Sequence, residues 1–216
     1  MSISVILLAG GSGSRMKSQL PKQFMRLNGK QIAHHSLDVF LAYPDVAEVI
    51  VVCNPAFRSH FSGYPVKFAL PGKRRQDSLF NGLNSATCDW ICVHDSVRPF
   101  ITPSMLKRLF KEGKKTGAAT LGMPMKWTVK LCGDKKLVKQ TLNRGQAWEG
   151  QTPQFLAKEV LLKGFAYANE HDVTVTDDVS LAELINHPVT LVEGAYNNLK
   201  ITTPEDLIIA EHFAKI

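Results

Sequence analysis

Paired cysteines are missing from this 216-residue chain. Cys53, Cys88, Cys92 and Cys132 form no Cys-x-x-Cys motif, and no histidine stands at metal-ligand spacing from them. A structural zinc site and a disulfide framework are therefore not expected. Cys53 and Cys92 fall within apolar runs and read as buried free thiols. Long apolar runs are also absent, since none approaches the ~20 residues that a membrane-spanning helix needs. The first strand pattern begins within three residues of Met1, leaving no room for a signal or transit segment, so a cytoplasmic protein without membrane partners is expected. Aromatic residues make up only 8% of the chain and do not interleave with its basic residues, as a nucleic-acid stacking surface would require. The familiar phosphate motifs are missing too. No Gly-Lys-Ser/Thr follows a four-residue gap, and Met16 stands where a dinucleotide fingerprint needs its third glycine.

What the chain does have is a phosphate loop of another kind. A buried-strand pattern, Ile3 to Leu8, runs into Ala9-Gly10-Gly11-Ser12-Gly13-Ser14-Arg15-Met16, and Pro21-Lys22-Gln23-Phe24 follows. Glycines let backbone N–H groups approach a polyanion, and Arg15 and Lys22 supply charge to neutralise it. The combination points to a nucleoside triphosphate. The net charge of +7 suits either nucleic acid or an anionic small substrate. The run Lys107, Arg108, Lys111, Lys114 and Lys115 reads as one solvated helix face.

The remaining sequence alternates. Ile3–Leu8, Val46–Cys53, Val66–Leu70, Trp90–His94, Ala118–Met123 and Val189–Val192 read as strands. Gln31–Tyr43, Asp77–Ala86, a segment opened by Thr102-Pro103, one after Pro153, one near 178–185 and one from Thr203-Pro204 read as helices. The expected fold is a Rossmann-like three-layer αβα domain over residues 1–216, with a mostly parallel, doubly wound sheet. Residues 124–147 break the rhythm. Their alternating, polar pattern around Gly133-Asp134 predicts a protruding β-arm that packs on a second subunit.

Ligands in such folds bind beyond the carboxyl ends of the strands. The loops there hold Gly72-Lys73-Arg74-Arg75-Gln76-Asp77-Ser78, Asp95-Ser96-Val97-Arg98, and Glu193 through Lys200. Asp95 suits a magnesium ion shared with triphosphate oxygens, or equally a loop salt bridge to Arg98. Asp77 and Ser78 suit a helix cap, and Ser78 could also touch a base. Thr176-Asp177-Asp178 reads as a helix start with acids favouring the dipole. His94 reads as a packed strand-end histidine. Arg144 and Lys200 are cations outside obvious helix faces. No nucleophile–base pair is legible.

Taken in order, the glycine loop, Pro21–Phe24, Arg75–Ser78, His94–Phe100, Gln151-Thr152-Pro153-Gln154, Thr176–Asp178 and Asn198–Asp206 resemble the 2-C-methyl-D-erythritol 4-phosphate cytidylyltransferases of the non-mevalonate isoprenoid pathway. The resemblance spans essentially the whole chain. It implies transfer of CMP from CTP to the acceptor phosphate, with Mg²⁺ and without a covalent enzyme intermediate. It places Ala9, Gly10, Gly11, Gly13, Gly72, Ser78 and Ser96 on CTP, Arg15 and Lys22 on its triphosphate, and Asp95 on the metal. It assigns Asp95, Arg98, Thr128, Arg144, Thr152, Thr176 and Lys200 to the acceptor, with Arg144 and Lys200 holding the attacking phosphate. It implies a homodimer in which the arm bearing Thr128 and Arg144 reaches the partner's site. The Leu8-Ala9-Gly10-Gly11 opening resembles relatives that activate D-ribitol 5-phosphate, the alternative acceptor. Lys73 stands where the family often has an acid. A basic nucleotide- or RNA-binding module without catalysis is the reading from a different class, and it predicts steeply salt-dependent RNA binding.

Overall fold

The computed structural model describes residues 2–11, 13–16 and 20–215; Ser12 of the glycine loop lies outside them. The chain runs β1 (Ile3–Leu8), a small hairpin of β2 (Arg26–Leu27) and β3 (Lys30–Gln31), α1 (Ile32–Leu41), β4 (Val46–Val52), β5 (Lys67–Ala69), α2 (Arg75–Ser85) and β6 (Trp90–Asp95). It continues through α3 (Pro103–Thr116), β7 (Ala118–Pro124), β8 (Lys130–Cys132), β9 (Val138–Thr141), β10 (Trp148–Ala157), α4 (Lys158–Glu170), α5 (Ser180–Glu183), β11 (Thr190–Glu193) and α6 (Pro204–Phe213).

Seven strands form one sheet in the order β11-β7-β10-β6-β1-β4-β5. All neighbours are parallel except β10, which runs antiparallel to both β6 and β7. Alternating side chains of the strands feed two cores. Val5 and Leu7 pack with Leu37 and Phe40 of α1 and with Leu106 and Leu109 of α3. Ile6 faces the other way, onto Leu79 and Leu83 of α2 and Leu161 and Phe165 of α4. Helices therefore cover both faces, as the near-continuous apolar strands require. Local chemistry sets the helix ends. Thr102 caps α3 by accepting from the Met105 N–H, and Gly117 ends it in the left-handed region at φ +88°. Thr203 and Asp206 form a capping box on α6.

One segment departs from the sequence reading. The helix expected straight after Pro153 begins only at Lys158; residues 148–157 form β10 instead. Gln154-Phe155-Leu156 fit either periodicity, and sheet pairing decides for the strand: Phe155 packs into one core and Leu156 into the other. Within 124–147 the structure forms a separate two-stranded ribbon, β8–β9, shorter than the alternating sequence suggests. No helix among the described residues is long and apolar enough to cross a membrane.

Register places the site. Leu8 at the end of β1 pairs with Asp95 at the end of β6 and with Val52 at the end of β4. The glycine loop, the loop after β5 and the loop after β6 consequently leave the sheet at one edge.

Candidate active site

These loops enclose a cavity of about 510 Å³, within the usual range for small-molecule sites. On one side Ala9 continues the sheet by donating to the Val52 carbonyl, and the chain then turns across the cavity. Gly10 has no room for a side chain, since a Cβ there would stand 2.6 Å from Pro71 Cβ. Gly13 sits at φ +69°, where L-residues are strained. Gln23 holds the turn. Its buried amide Nε2 donates to the carbonyls of Ala9 at 2.7 Å and Gly11 at 2.9 Å. With both loop carbonyls engaged there, they are kept from repelling a bound anion. Replacing Gln23 by alanine removes the donor for both carbonyls. It should lower unfolding free energy by about 1–3 kcal/mol and weaken anion binding, read by urea denaturation and calorimetry. An unchanged urea midpoint would refute the bracing role.

The cavity lining is strongly cationic. Arg15, Lys22, Lys73, Arg74, Arg75 and Lys200 line it against a single carboxylate, Asp95. Lys22 is only 8% exposed. Burial first, then the charges of Lys200 and Arg15, push its ammonium below the usual lysine range. The first turn of α2 also reaches the cavity, and the positive end of its helix dipole adds to the potential there. Arg74 is tied to Asp77, which caps the helix as expected by accepting from the Arg74 N–H at 2.9 Å. Ser78 Oγ accepts from the Gly72 N–H at 2.9 Å and so fixes the far wall. Ser96 ties β6 back to β1, its Oγ donating to the Leu8 carbonyl at 2.8 Å.

Asp95 is the pivot of the charge arrangement. Lys200 Nζ stands 2.7 Å from its Oδ2, and Arg75 Nη2 stands 3.1 Å from Oδ1. Burial opposes its charge, but Arg75 and Lys200 outweigh burial and hold the carboxyl well below its usual range. The alternative loop salt bridge to Arg98 is not formed. The Arg98 guanidinium turns away and donates to the carbonyls of Asn198 at 2.7 Å and Gly150 at 3.5 Å. Behind Asp95, its N–H donates to Thr152 Oγ1, which bonds in turn to His94 Nδ1; His94 Nε2 meets the Arg98 carbonyl. This chain is satisfied only if Thr152 donates to Nδ1 and Nε2 carries the imidazole proton. Burial pushes the His94 pKa down to about 3. With both ring nitrogens engaged, His94 is a packing residue, as expected from the sequence, and not a base.

Of the sequence-expected residues, the glycine loop, Arg15, Lys22, Gly72, Ser78, Asp95, Ser96 and Lys200 meet at this cavity. Arg98 and Thr152 are buried behind it, and Thr176 is exposed outside its lining. Thr128 and Arg144 lie exposed on the arm, where Arg144 Nη1 donates to the Lys126 carbonyl. Sequence reasoning missed Gln23 and Arg75. It also took Asp178 for a dipole-favouring acid, whereas Asp178 is 1% exposed and accepts two bonds from Arg75, at 2.5 and 2.9 Å. The sequence signals for that pair are the basic run at 73–75 and the place of both residues in segments that carry the family resemblance, neither of which connects one residue to the other.

The chain as a whole matches known proteins. Residues 3–215 match the family described as "IspD: 2-C-methyl-D-erythritol 4-phosphate cytidylyltransferase". The enzyme of that name from Chlamydia pneumoniae is 42% identical, over 96% of this chain and 97% of its own. The chloroplastic one from Oryza sativa subsp. japonica is 44% identical, over 97% of this chain and 73% of its own. The crystal structure of the enzyme from Thermus thermophilus superimposes with a TM-score of 0.86 at 30% identity, covering all of both chains.

Proposed function

Because the chain belongs to the 2-C-methyl-D-erythritol 4-phosphate cytidylyltransferase family, we propose that its cavity holds CTP and that it transfers CMP to 2-C-methyl-D-erythritol 4-phosphate. A phosphate oxygen of the acceptor attacks the α-phosphorus of CTP. The new P–O bond forms as the bond to the α–β bridging oxygen breaks, and pyrophosphate leaves with the electron pair. The observation that carries this reading is the lining itself: six cations against one carboxylate, beside a glycine loop. Such transfer needs positioning and charge stabilisation more than proton transfer. The acceptor phosphate is already an anion, which accords with a His94 that offers no free nitrogen.

Each wall has a part. Gly10, Gly11 and Gly13 border the triphosphate, and Lys22 and Arg15 meet the charge that grows on it. Gly72 and Ser78 bound the nucleoside end. Asp95, held in its charged form by Arg75 and Lys200, is the one carboxylate of the cavity lining; no cluster of three metal-binding side chains occurs among the described residues. That donor set fits Mg²⁺, which commonly takes one carboxylate and completes its shell with phosphate oxygens and water. When bound, the ion would neutralise phosphate charge. Lys200, with Arg144, would hold the acceptor phosphate.

The arm supports a homodimer. Trp127, Leu137 and Val138 are 77%, 69% and 61% exposed, costly surface for a lone ribbon and suited to a second copy. Arg144 does not line the cavity of its own chain, as expected if it serves the partner's. Mixing Lys22→Ala and Arg144→Ala subunits then creates one intact site per mixed dimer. A 1:1 mixture should recover about a quarter of wild-type activity, and no recovery would place Arg144 with its own chain or nowhere.

The deciding experiment is pyrophosphate release from CTP and Mg²⁺ with methylerythritol phosphate, with ribitol 5-phosphate, and with neither. Release with methylerythritol phosphate alone is expected. Release only with ribitol phosphate would overturn the acceptor, and release with none would overturn the activity.

A further inference from the structure

We propose that Asp178, which does not line the cavity, is a positioning residue that determines how strongly Asp95 can take a divalent cation alongside CTP. The inference rests on the reading of the cavity as a metal–CTP site. Four charged groups form an unbroken series: Asp178, Arg75, Asp95 and Lys200. Their signs alternate and their charges cancel. Arg75 gives Nη1 and Nη2 to the two oxygens of Asp178, and Nη2 with Nε to Oδ1 of Asp95. Remove the Asp178 charge and the series carries a net positive charge. Asp95 then faces two cations uncompensated, and a metal ion becomes the third.

Asp178 is built to hold its place. Its N–H and that of Val179 donate to Gln154 Oε1, at 2.8 and 3.0 Å. Gln154 Nε2 is fixed in turn on Thr120 Oγ1 at 3.0 Å and Asp177 Oδ2 at 2.9 Å. The second carboxylate is thus anchored to β7 and β10, while the guanidinium it orients belongs to α2. A bidentate grip of this kind also fixes the plane of the Arg75 fork. The series therefore governs both the orientation of Asp95 and the charge it presents. The same change acts in opposite senses on two ligands. A surplus positive charge disfavours the metal ion but favours the bare triphosphate.

The test compares CTP binding by calorimetry in Mg²⁺ and in a chelator, for the wild type, Asp178→Asn and the double variant Asp178→Asn/Arg75→Gln. In Asp178→Asn the enhancement of CTP affinity by Mg²⁺ should fall about tenfold, the size expected for one partly screened charge nearby. Its affinity in chelator should be unchanged or higher. The double variant restores neutrality and should recover the enhancement to within about threefold of wild type. It also removes the buried pair together, so it reports on the charge balance even if Asp178→Asn fails to fold. Equal weakening under both conditions, an unchanged enhancement in Asp178→Asn, or a double variant without enhancement would each overturn the proposal. A wild type that binds CTP but gains nothing from Mg²⁺ would overturn it alone. A wild type that binds no CTP would overturn the reading of the cavity as well.

Discussion

Replacing Lys22 by alanine should lower kcat by about two to three orders of magnitude, the usual loss when a preorganised group facing developing charge is removed. The KM for CTP should change much less, because the partner charge grows only as the bridging bond breaks. Two features make this the largest single effect at the site. Lys22 is almost fully buried, so its charge is poorly screened. It also sits in the tight turn Lys22–Phe24, next to the Gln23 that braces the glycine loop, so the ammonium is held rather than tethered. Among the described residues no carboxylate forms an ion pair with it. Arg15, which is exposed, should show the same pattern with a smaller loss. The Lys22 proton adds a second readout. Its pKa lies below the usual lysine value, through burial first and then through Lys200 and Arg15. In the proposed role the charged form is the active one, so a lowered pKa should bring the alkaline fall of kcat/KM to lower pH than an ordinary lysine would give. Lys22→Arg should remove that limb, since guanidinium stays charged. A Lys22→Ala enzyme with kcat within threefold of wild type would exclude the assigned role.

Replacing Arg75 by alanine should destabilise the fold by about 3–5 kcal/mol, the usual cost of leaving buried charge without its partner. Two carboxylates, Asp178 and Asp95, lose their shared guanidinium at once. The cost should depend on pH. Burial, the largest influence on Asp178, raises its pKa above 3.8 even with Arg75 present, and Arg75 only opposes that rise. Without Arg75 the folded state binds a proton on Asp178 still more readily than the unfolded chain does. A carboxyl with a raised folded pKa favours folding at low pH and loses that contribution as pH rises. Asp95 acts in the same direction. In the wild type its lowered pKa contributes stability above 3.8 that Arg75 helps to supply, and the variant forfeits most of it at neutral pH. The gap between wild type and Arg75→Ala should thus be widest near about pH 8 and narrower near about pH 5. Urea denaturation at the two pH values measures it. A gap of the same size at both would mean that Arg75 acts through packing rather than charge.

The two predictions separate what is local from what is not. Lys22 stands within a dozen residues of the glycines it serves, and proximity along the chain made the pair legible. The same holds for the caps at Thr102 and Thr203, where a side chain bonds a backbone N–H three positions on. Arg75 bonds partners 20 and 103 positions away, and no spacing rule connects them. Asp178 was mistaken for a helix-start acid because the local pattern Thr-Asp-Asp fits that role equally well. Gln23 looked like one more residue of a recognisable motif, although both of its acceptors lie on the preceding loop.

By itself, the sequence determined the αβ alternation, the glycine-rich first loop, the cations at 15 and 22, and the family. Each depends on apolar periodicity or on residues close together in the chain, and neither needs a fold to be read. Tertiary structure alone decided that β10 inserts antiparallel between β6 and β7, that Arg98 and Thr152 back the site instead of lining it, and that Asp95 belongs to a four-charge series. Those outcomes depend on which strand ends align and which charges are buried together. Only the assembled sheet, with Leu8, Val52 and Asp95 in register at one edge, brings such distant residues within bonding distance.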